Sequence, residues 1–312
     1  MMNYKLFKEM VEKEFINYMP QEFKDFKLNI QQVNKINRSL DSLTVLTGDV
    51  SPNIYINDMY EEYKECEDFQ KVLRSATNYM TYHLRNIPKK FMQRDYSNAK
   101  DNLIMIVINT EQNQKMLSEV PHREFLDLSI VYRWIINKDD DGLSGSILNN
   151  HLAEELGLTE EKIYQLAVEN TIKLFPPVVK KMEDILLEIF VDEGMSLKEA
   201  ETIVMGSMPE SQMYIISNEE KMYGAAAMLY ENELYKLASS FKTNLYILPS
   251  SIHELVAVPA NVEDPNELAE MVAEININQV ALDERLSNQV YYYDKDLRKI
   301  SLATDILNKR VD

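Results

Sequence analysis

Apolar positions change their period several times along the chain, and each change marks an element. Over residues 4–19 they recur at helical spacing, with Leu6, Met10, Val11, Phe15, Ile16 and Met19 as the apolar set, and Pro20 ends the predicted helix. Residues 26–36 alternate as a half-buried strand does. A turn at Asn37-Arg38-Ser39 leads to a second short strand over 43–46, so the two form a hairpin. Ser51-Pro52-Asn53 is a loop and residues 54–56 a short strand. From a cap at Asn57 or Asp58, the apolar stripe from Tyr60 through Cys66 and Phe69 to Met80 predicts one long helix that ends before Pro88.

Residues 103–108 are an unbroken apolar run with β-branched members, the pattern of a strand buried on both faces. Residues 126–136, around Trp134, predict another strand, and Asp139-Asp140-Asp141-Gly142 a tight turn into 143–148. Two helices fill 149–175, broken at Gly157, the second capped by Thr159 with Glu160 and Glu161 in its first turn; Pro176-Pro177 stops them. Residues 178–190 are apolar without a decisive period, and a short helix covers 197–205. A second α/β unit begins at 213–216, continues as a helix over 225–241, strands over 245–248 and 255–258, and a helix over 265–274, and closes with a hairpin of 289–293 and 299–303. The expected fold class is α+β: two mixed α/β lobes with small sheets flanked by helices, 1–150 and 213–312, joined by a mainly helical connector over 151–212. A faint echo links 43–64 with 213–236, each running strand, loop, apolar stretch, Tyr-rich helix; two unrelated α/β units would look much the same.

Composition narrows the function classes. With 33 Lys+Arg against 51 Asp+Glu the net charge is −18, which repels phosphate backbones and anionic lipid and disfavours general nucleic-acid or membrane-surface binding. The clusters Lys89-Lys90 with Arg94 and Lys180-Lys181 are the candidate local basic patches. The 7 glycines in 312 residues, about 2% against a usual share of about 7%, include no GxGxxG and no GxxxxGK[ST], so dinucleotide-binding and P-loop chemistry are disfavoured. The single cysteine, Cys66, sits among carboxylates that oppose a reactive thiolate. The first residues lack a basic-then-apolar leader, and no stretch reaches the roughly 18–20 apolar residues of a membrane span, so a cytoplasmic location is expected.

Pro249-Ser250-Ser251-Ile252-His253-Glu254 places two hydroxyls, an imidazole and a carboxylate in one loop between strands, where function often resides. One reading is a hydrolase-like site with Ser250 or Ser251 as nucleophile, His253 as base and Glu254 nearby, although no GxSxG elbow and no HExxH zinc motif is present. The other is structural: serines that turn the chain and a histidine bonded to backbone. His122 and Arg123 could hold an anion or carboxylate, or could pair with Glu124 or Asp127. Tyr292, within Tyr291-Tyr292-Tyr293, could present an aromatic to a partner. Asn137 to Gly142 resembles the start of a calcium loop, but its twelfth position is Leu148 rather than a bidentate Glu. No metal cluster and no cofactor fingerprint is legible.

The phrases SPNIYINDMYEEY (51–63), MLSEVPHREFLDLSIVYR (116–133), LAVENTIKLFPP (166–177), MYGAAAMLYENELYKLA (222–238), LYILPSSIHELVAVP (245–259) and LSNQVYYYD (286–294) occur in this order. Together they resemble the bacterial "domain of unknown function 5688" family, found mostly in Firmicutes, over roughly residues 28–303. The resemblance implies a shared α/β fold and a cytoplasmic setting and supplies no activity or catalytic positions. The leading expectation is a non-enzymatic binding or interaction protein whose partner is a protein or a small molecule. The alternatives are the serine hydrolase and an acidic decoy that mimics nucleic acid, and the oligomeric state stays open.

Overall fold

The computed structural model describes residues 1–46, 51–86, 96–139, 142–207, 212–261 and 264–303. They form two compact units, 1–96 and 97–312.

In the first unit, α1 (Tyr4–Tyr18) is capped by Asn3, whose side chain accepts from the Leu6 N–H; it buries Val11 and Phe15 as expected, but Phe7 in place of Leu6, which is exposed. The hairpin β1 (Lys27–Lys35) and β2 (Arg38–Leu46) turns at Asn37, which takes φ +56, and β3 (Asn53–Tyr55) pairs with β2 to complete a three-stranded antiparallel sheet. The long helix expected beyond Asn57 is in fact two, α2 (Ile56–Cys66) and α3 (Phe69–Arg85). Glu67 turns into the left-handed region at φ 53 and bonds back to the Tyr63 carbonyl, while the Asp68 carboxylate accepts from the Lys71 N–H as a new N-cap. Neither Asn57 nor Asp58 caps α2. Helix α2 starts at Ile56 with Tyr55 in the cap position, and Asn57 Oδ1 accepts from the Asp41 N–H at 2.7 Å instead. The helices share one core, in which Phe7 lies 5.2 Å from the Tyr60 and Tyr63 rings and 5.5 Å from Phe69.

In the second unit, β4 (Leu103–Asn109) is the fully apolar strand the sequence announced, buried from Leu103 to Ile108. A short helix, α4 (Gln114–Leu117), leads to β5 (His122–Phe125), β6 (Leu128–Asp139) and β7 (Gly142–Ile147). The sheet is antiparallel, with β4 on one side of β6 and β5 and β7 on the other. After α5 (Asn150–Glu155), helix α6 (Glu160–Leu174) lies against β4, and Thr171 Oγ1 accepts the Met105 N–H at 2.8 Å. That bond occupies a donor on the outer edge of the strand.

The apolar residues 178–190 resolve into β8 (Pro177–Lys181) and α7 (Met182–Asp192), followed by α8 (Leu197–Ser207). Strands β8, β9 (Tyr214–Asn218), β10 (Leu245–Leu248), β11 (Leu255–Pro259), β12 (Tyr291–Asp294) and β13 (Lys299–Leu302) build a second antiparallel sheet in the order β13-β12-β10-β11-β9-β8. The helix expected over 225–241 begins as a 3-10 turn, Gly224–Leu229, and becomes α9 (Glu231–Phe241) only after Tyr230; α10 (Pro265–Asn278) follows β11. The architecture is α+β. The compact units meet at 96/97, whereas the three-part reading placed its boundaries at 150/151 and 212/213. Two ties cross those positions: α6 bonds to β4, and β8 pairs along its length with β9. Among the described residues no helix is long and apolar enough to cross a membrane.

Candidate functional site

The loop between β10 and β11 folds around His253. The Ser251 hydroxyl oxygen accepts the His253 backbone N–H at 3.0 Å, the local turn that serine side chains favour. His253 Nδ1 accepts the Tyr223 backbone N–H at 3.1 Å. An N–H can only donate, so the ring proton sits on Nε2, which faces Glu284 Oε1 at 3.6 Å. The His253 carbonyl accepts from Ser217 Oγ at 2.7 Å. Each ring nitrogen therefore has its own neighbour, neither is bonded to Ser250 or Ser251, and Glu254 stands half-buried outside this set. A serine nucleophile needs a lone pair on the imidazole nitrogen that faces it. Here the arrangement locks three chain segments together.

Arg123 is engaged by two carboxylates through three of its five N–H donors. Its Nε and Nη2 reach the two Glu160 oxygens at 3.1 and 2.8 Å, Nη2 also reaches Glu161 at 2.6 Å, and the guanidinium stacks on Tyr164 at 3.9 Å. The partners are these helix-α6 groups rather than Glu124 or Asp127, and Arg123 holds α6 to β5. His122 Nδ1 lies 3.0 Å from the Val120 carbonyl. Tyr292 is half-buried in β12 and bonds Asn244 through its hydroxyl, while its neighbours Tyr291 and Tyr293 are core residues. Of the candidate calcium loop, Asp140 and Asp141 lie outside the described residues, and Lys138 pairs with Glu220 at 2.7 Å. Lys89, Lys90 and Arg94 also lie outside them, and Lys180 pairs with Glu188.

A cleft of about 310 Å³ forms elsewhere in the second unit, where the end of β4, the β5–β6 turn, the last turn of α10 and the loop 285–289 converge. Asn109, the residue that terminates the apolar run of β4, donates through Nδ2 to the Leu286 carbonyl at 3.0 Å and accepts the Gln112 N–H at 2.9 Å. Asp127 occupies the two-residue turn between β5 and β6, beside Leu126 at φ +58, a conformation glycine usually supplies. Its carboxylate accepts from Ser287 Oγ at 2.6 Å and from the Tyr291 hydroxyl at 2.7 Å. On α10, Asn276 donates through Nδ2 to the Ser287 carbonyl at 2.8 Å and to Asn288 Oδ1 at 2.9 Å. Its Oδ1 is buried without a hydrogen-bond partner, on a residue only 2% exposed. Such an orphan acceptor costs roughly 1–3 kcal/mol until a donor meets it. Arg285 spends Nε and Nη2 on the Val280 and Ile277 carbonyls, each at 3.1 Å, which closes the C-terminal end of α10.

Asp127 was named from sequence only as a possible partner of His122 and Arg123, and the other cleft residues were not singled out. One signal was there. Leu268, Val272 and Asn276 follow the buried face of α10 four residues apart, so an amide occupies a position where the period calls for an apolar side chain. Asn109, at the end of a strand buried on both faces, is the second such signal.

Buried phenols dominate the electrostatics. Burial, then the Glu160 bond, pushes Tyr132 well above the ordinary phenol range; burial alone does so for Tyr230, and burial followed by the Asp127 charge for Tyr291. The half-buried Tyr235, which bonding to Arg298 pulls the other way, opposes this weakly. A phenol raised in the folded state keeps a proton that the unfolded chain releases above about pH 10. The stabilisation is complete below that pH and is lost as pH rises past it. Urea midpoints are expected to hold level up to about pH 9 and to fall between about pH 10 and 12; a level midpoint across that upper range would contradict the burial of these groups.

An antiparallel α+β unit with an amide-rich, ligand-sized cleft is the class of protein these observations define. The chain belongs to the family of unknown function DUF5688, which it matches over residues 4–295. No curated protein and no solved structure matches it.

Proposed function

We propose that this is a cytoplasmic bacterial binding protein whose cleft holds a small, uncharged, hydroxyl-rich molecule such as a sugar or sugar alcohol. The observation that carries the reading is the concentration of amide side chains in one cleft lining, Asn109, Gln112, Asn276, Asn288 and Gln289, with the buried Asn276 Oδ1 beneath it left without a hydrogen-bond partner. The remaining groups suit a neutral ligand. Gln112, Asn288 and Gln289 line the cleft with amides, the Asp127 carboxylate accepts from two hydroxyls, and the two carboxylates Glu111 and Asp127 against the one guanidinium of Arg285 disfavour an anionic ligand. Ser287, the one hydroxyl of the lining, spends its proton on Asp127 with no histidine or lysine beside it among the described residues, an arrangement that supports recognition by hydrogen bonding. A volume near 310 Å³ lies at the small end of ligand pockets, roughly 300–1,000 Å³. The net charge of −18 is consistent with a neutral ligand and with no general nucleic-acid partner.

Calorimetric titration with monosaccharides, sugar alcohols and their phosphorylated analogues tests this. At least one neutral member is expected to bind saturably and to raise the melting temperature. The exposed wall substitution Gln112→Ala should weaken it about 5- to 10-fold, the worth of one hydrogen bond. Binding confined to the phosphorylated compounds, or no binding by any neutral member, would overturn the proposal.

A further inference from the structure

Two aliphatic side chains stand exposed at a cleft whose lining is otherwise polar apart from the buried Leu286. Ile277, in the wall at the last turn of α10, keeps 66% of its surface in water. Leu126 is 44% exposed and shares the β5–β6 turn with the lining residue Asp127. One loop residue connects the two positions. Ser287 donates to the carboxylate of Asp127, which follows Leu126, and its carbonyl accepts from Asn276, which precedes Ile277. A lone exposed aliphatic is ordinary on a protein surface. Leu126 is not ordinary, because its backbone is also left-handed, at φ +58. It is the first residue of a two-residue hairpin turn between paired Phe125 and Leu128, a position where positive φ calls for glycine. Among the described residues of positive φ other than glycine, it alone is aliphatic. Glycine there would relieve the backbone and take apolar surface out of water, so the fold by itself does not call for leucine.

Building on the reading of the cleft as a site for a small uncharged molecule rich in hydroxyls, on which this rests, we propose that the ligand also carries a short apolar substituent, an alkyl or aryl group as in a glycoside, that covers Ile277 and Leu126. The hydroxyl-rich head bonds the amides of Gln112, Asn288 and Gln289, and the substituent lies over the two aliphatics. This is the usual division in ligand sites, where a few polar groups fix orientation and apolar contact supplies affinity. An apolar substituent also keeps the ligand neutral beside the Glu111 and Asp127 carboxylates. Covering roughly 50 Å² of this aliphatic surface is worth about 5- to 10-fold in affinity.

The test titrates the full chain calorimetrically with free monosaccharides and with their methyl and butyl glycosides. For the sugar that binds, the butyl glycoside is expected to bind about 5- to 10-fold tighter than the free form, with the methyl glycoside between them. In the double variant Ile277→Ser, Leu126→Gly the ratio of the butyl and free affinities should fall to about one. Leu126→Gly alone supplies a readout that needs no ligand: because it relieves the turn, the melting temperature should fall by no more than about 2 °C, if at all. A larger fall would assign the leucine to packing and overturn the proposal. Equal affinity for the free and butylated forms, or a butyl advantage that survives in the double variant, would overturn it while leaving the cleft as a site for hydroxyl-rich molecules. Absence of binding by every neutral compound, free or alkylated, would overturn both.

Discussion

Gly224→Ala is expected to destabilise the second unit by about 2–4 kcal/mol, the cost of forcing an added methyl into a packed interior. A Cβ at this position would lie 2.3 Å from Ser217 Oγ, 2.4 Å from the His253 carbonyl oxygen and 2.8 Å from Ser217 Cα. Two of these neighbours are backbone atoms and the third donates to the His253 carbonyl, so no side chain can swing aside without breaking that bond. The same approach lets the Tyr223 N–H reach His253 Nδ1 and the Ala225 N–H reach the Ile252 carbonyl at 3.3 Å, so the damage should spread into the loop before β11. At roughly 2–4 °C per kcal/mol for a unit of this size, the melting temperature should drop by about 5–15 °C. Calorimetry reads this directly, and a drop under about 2 °C would show that the loop yields. Gly145, whose added Cβ would meet the Trp134 carbonyl oxygen at 2.4 Å, makes a similar close approach in the first sheet of the unit.

Asp127→Ala is expected to cost about 3 kcal/mol, because it removes a charged acceptor from two hydroxyls at once. Tyr291 has no exposed surface and Ser287 only 5%, so neither hydroxyl has ready access to water in exchange. Asp127→Asn, which retains a carbonyl acceptor, should cost less than half as much. Replacing Tyr291 by Phe in the Asp127→Ala background should restore about 1 kcal/mol, since a phenol without an acceptor is worse than none. Urea denaturation of the four proteins forms the cycle. Additive losses from the two substitutions would mean that Asp127 and Tyr291 do not depend on each other. The outcome also bears on ligand binding. The Asp127–Ser287 bond holds the loop that carries Asn288 and Gln289, so Asp127→Ala should weaken cleft occupancy along with stability.

Strong local period was legible throughout the chain. The apolar run of β4, the break between α5 and α6 at Gly157, the Thr159 cap and the closing tyrosine hairpin all emerge where the sequence placed them. The break between α2 and α3 was hidden because the apolar stripe continues in phase across it and the left-handed residue is Glu67 rather than glycine or asparagine. The residue types of the loop around His253 were legible as unusual, but not what they bind. The same serine, histidine and carboxylate can form a relay or a set of turns, and only the direction of each ring nitrogen separates the two.

The chain by itself determined the α+β class, most of the elements, the acidic surface and the family, because each follows from neighbouring residues or from composition. Only the tertiary structure decided that β8 joins β9, and that Asn109 meets Leu286 and Asp127 meets Tyr291. The last two pairs are 177 and 164 residues apart. A hydrophobic period reports which face of an element is buried. It carries no information about which distant polar groups are buried together, and the cleft is made of those groups.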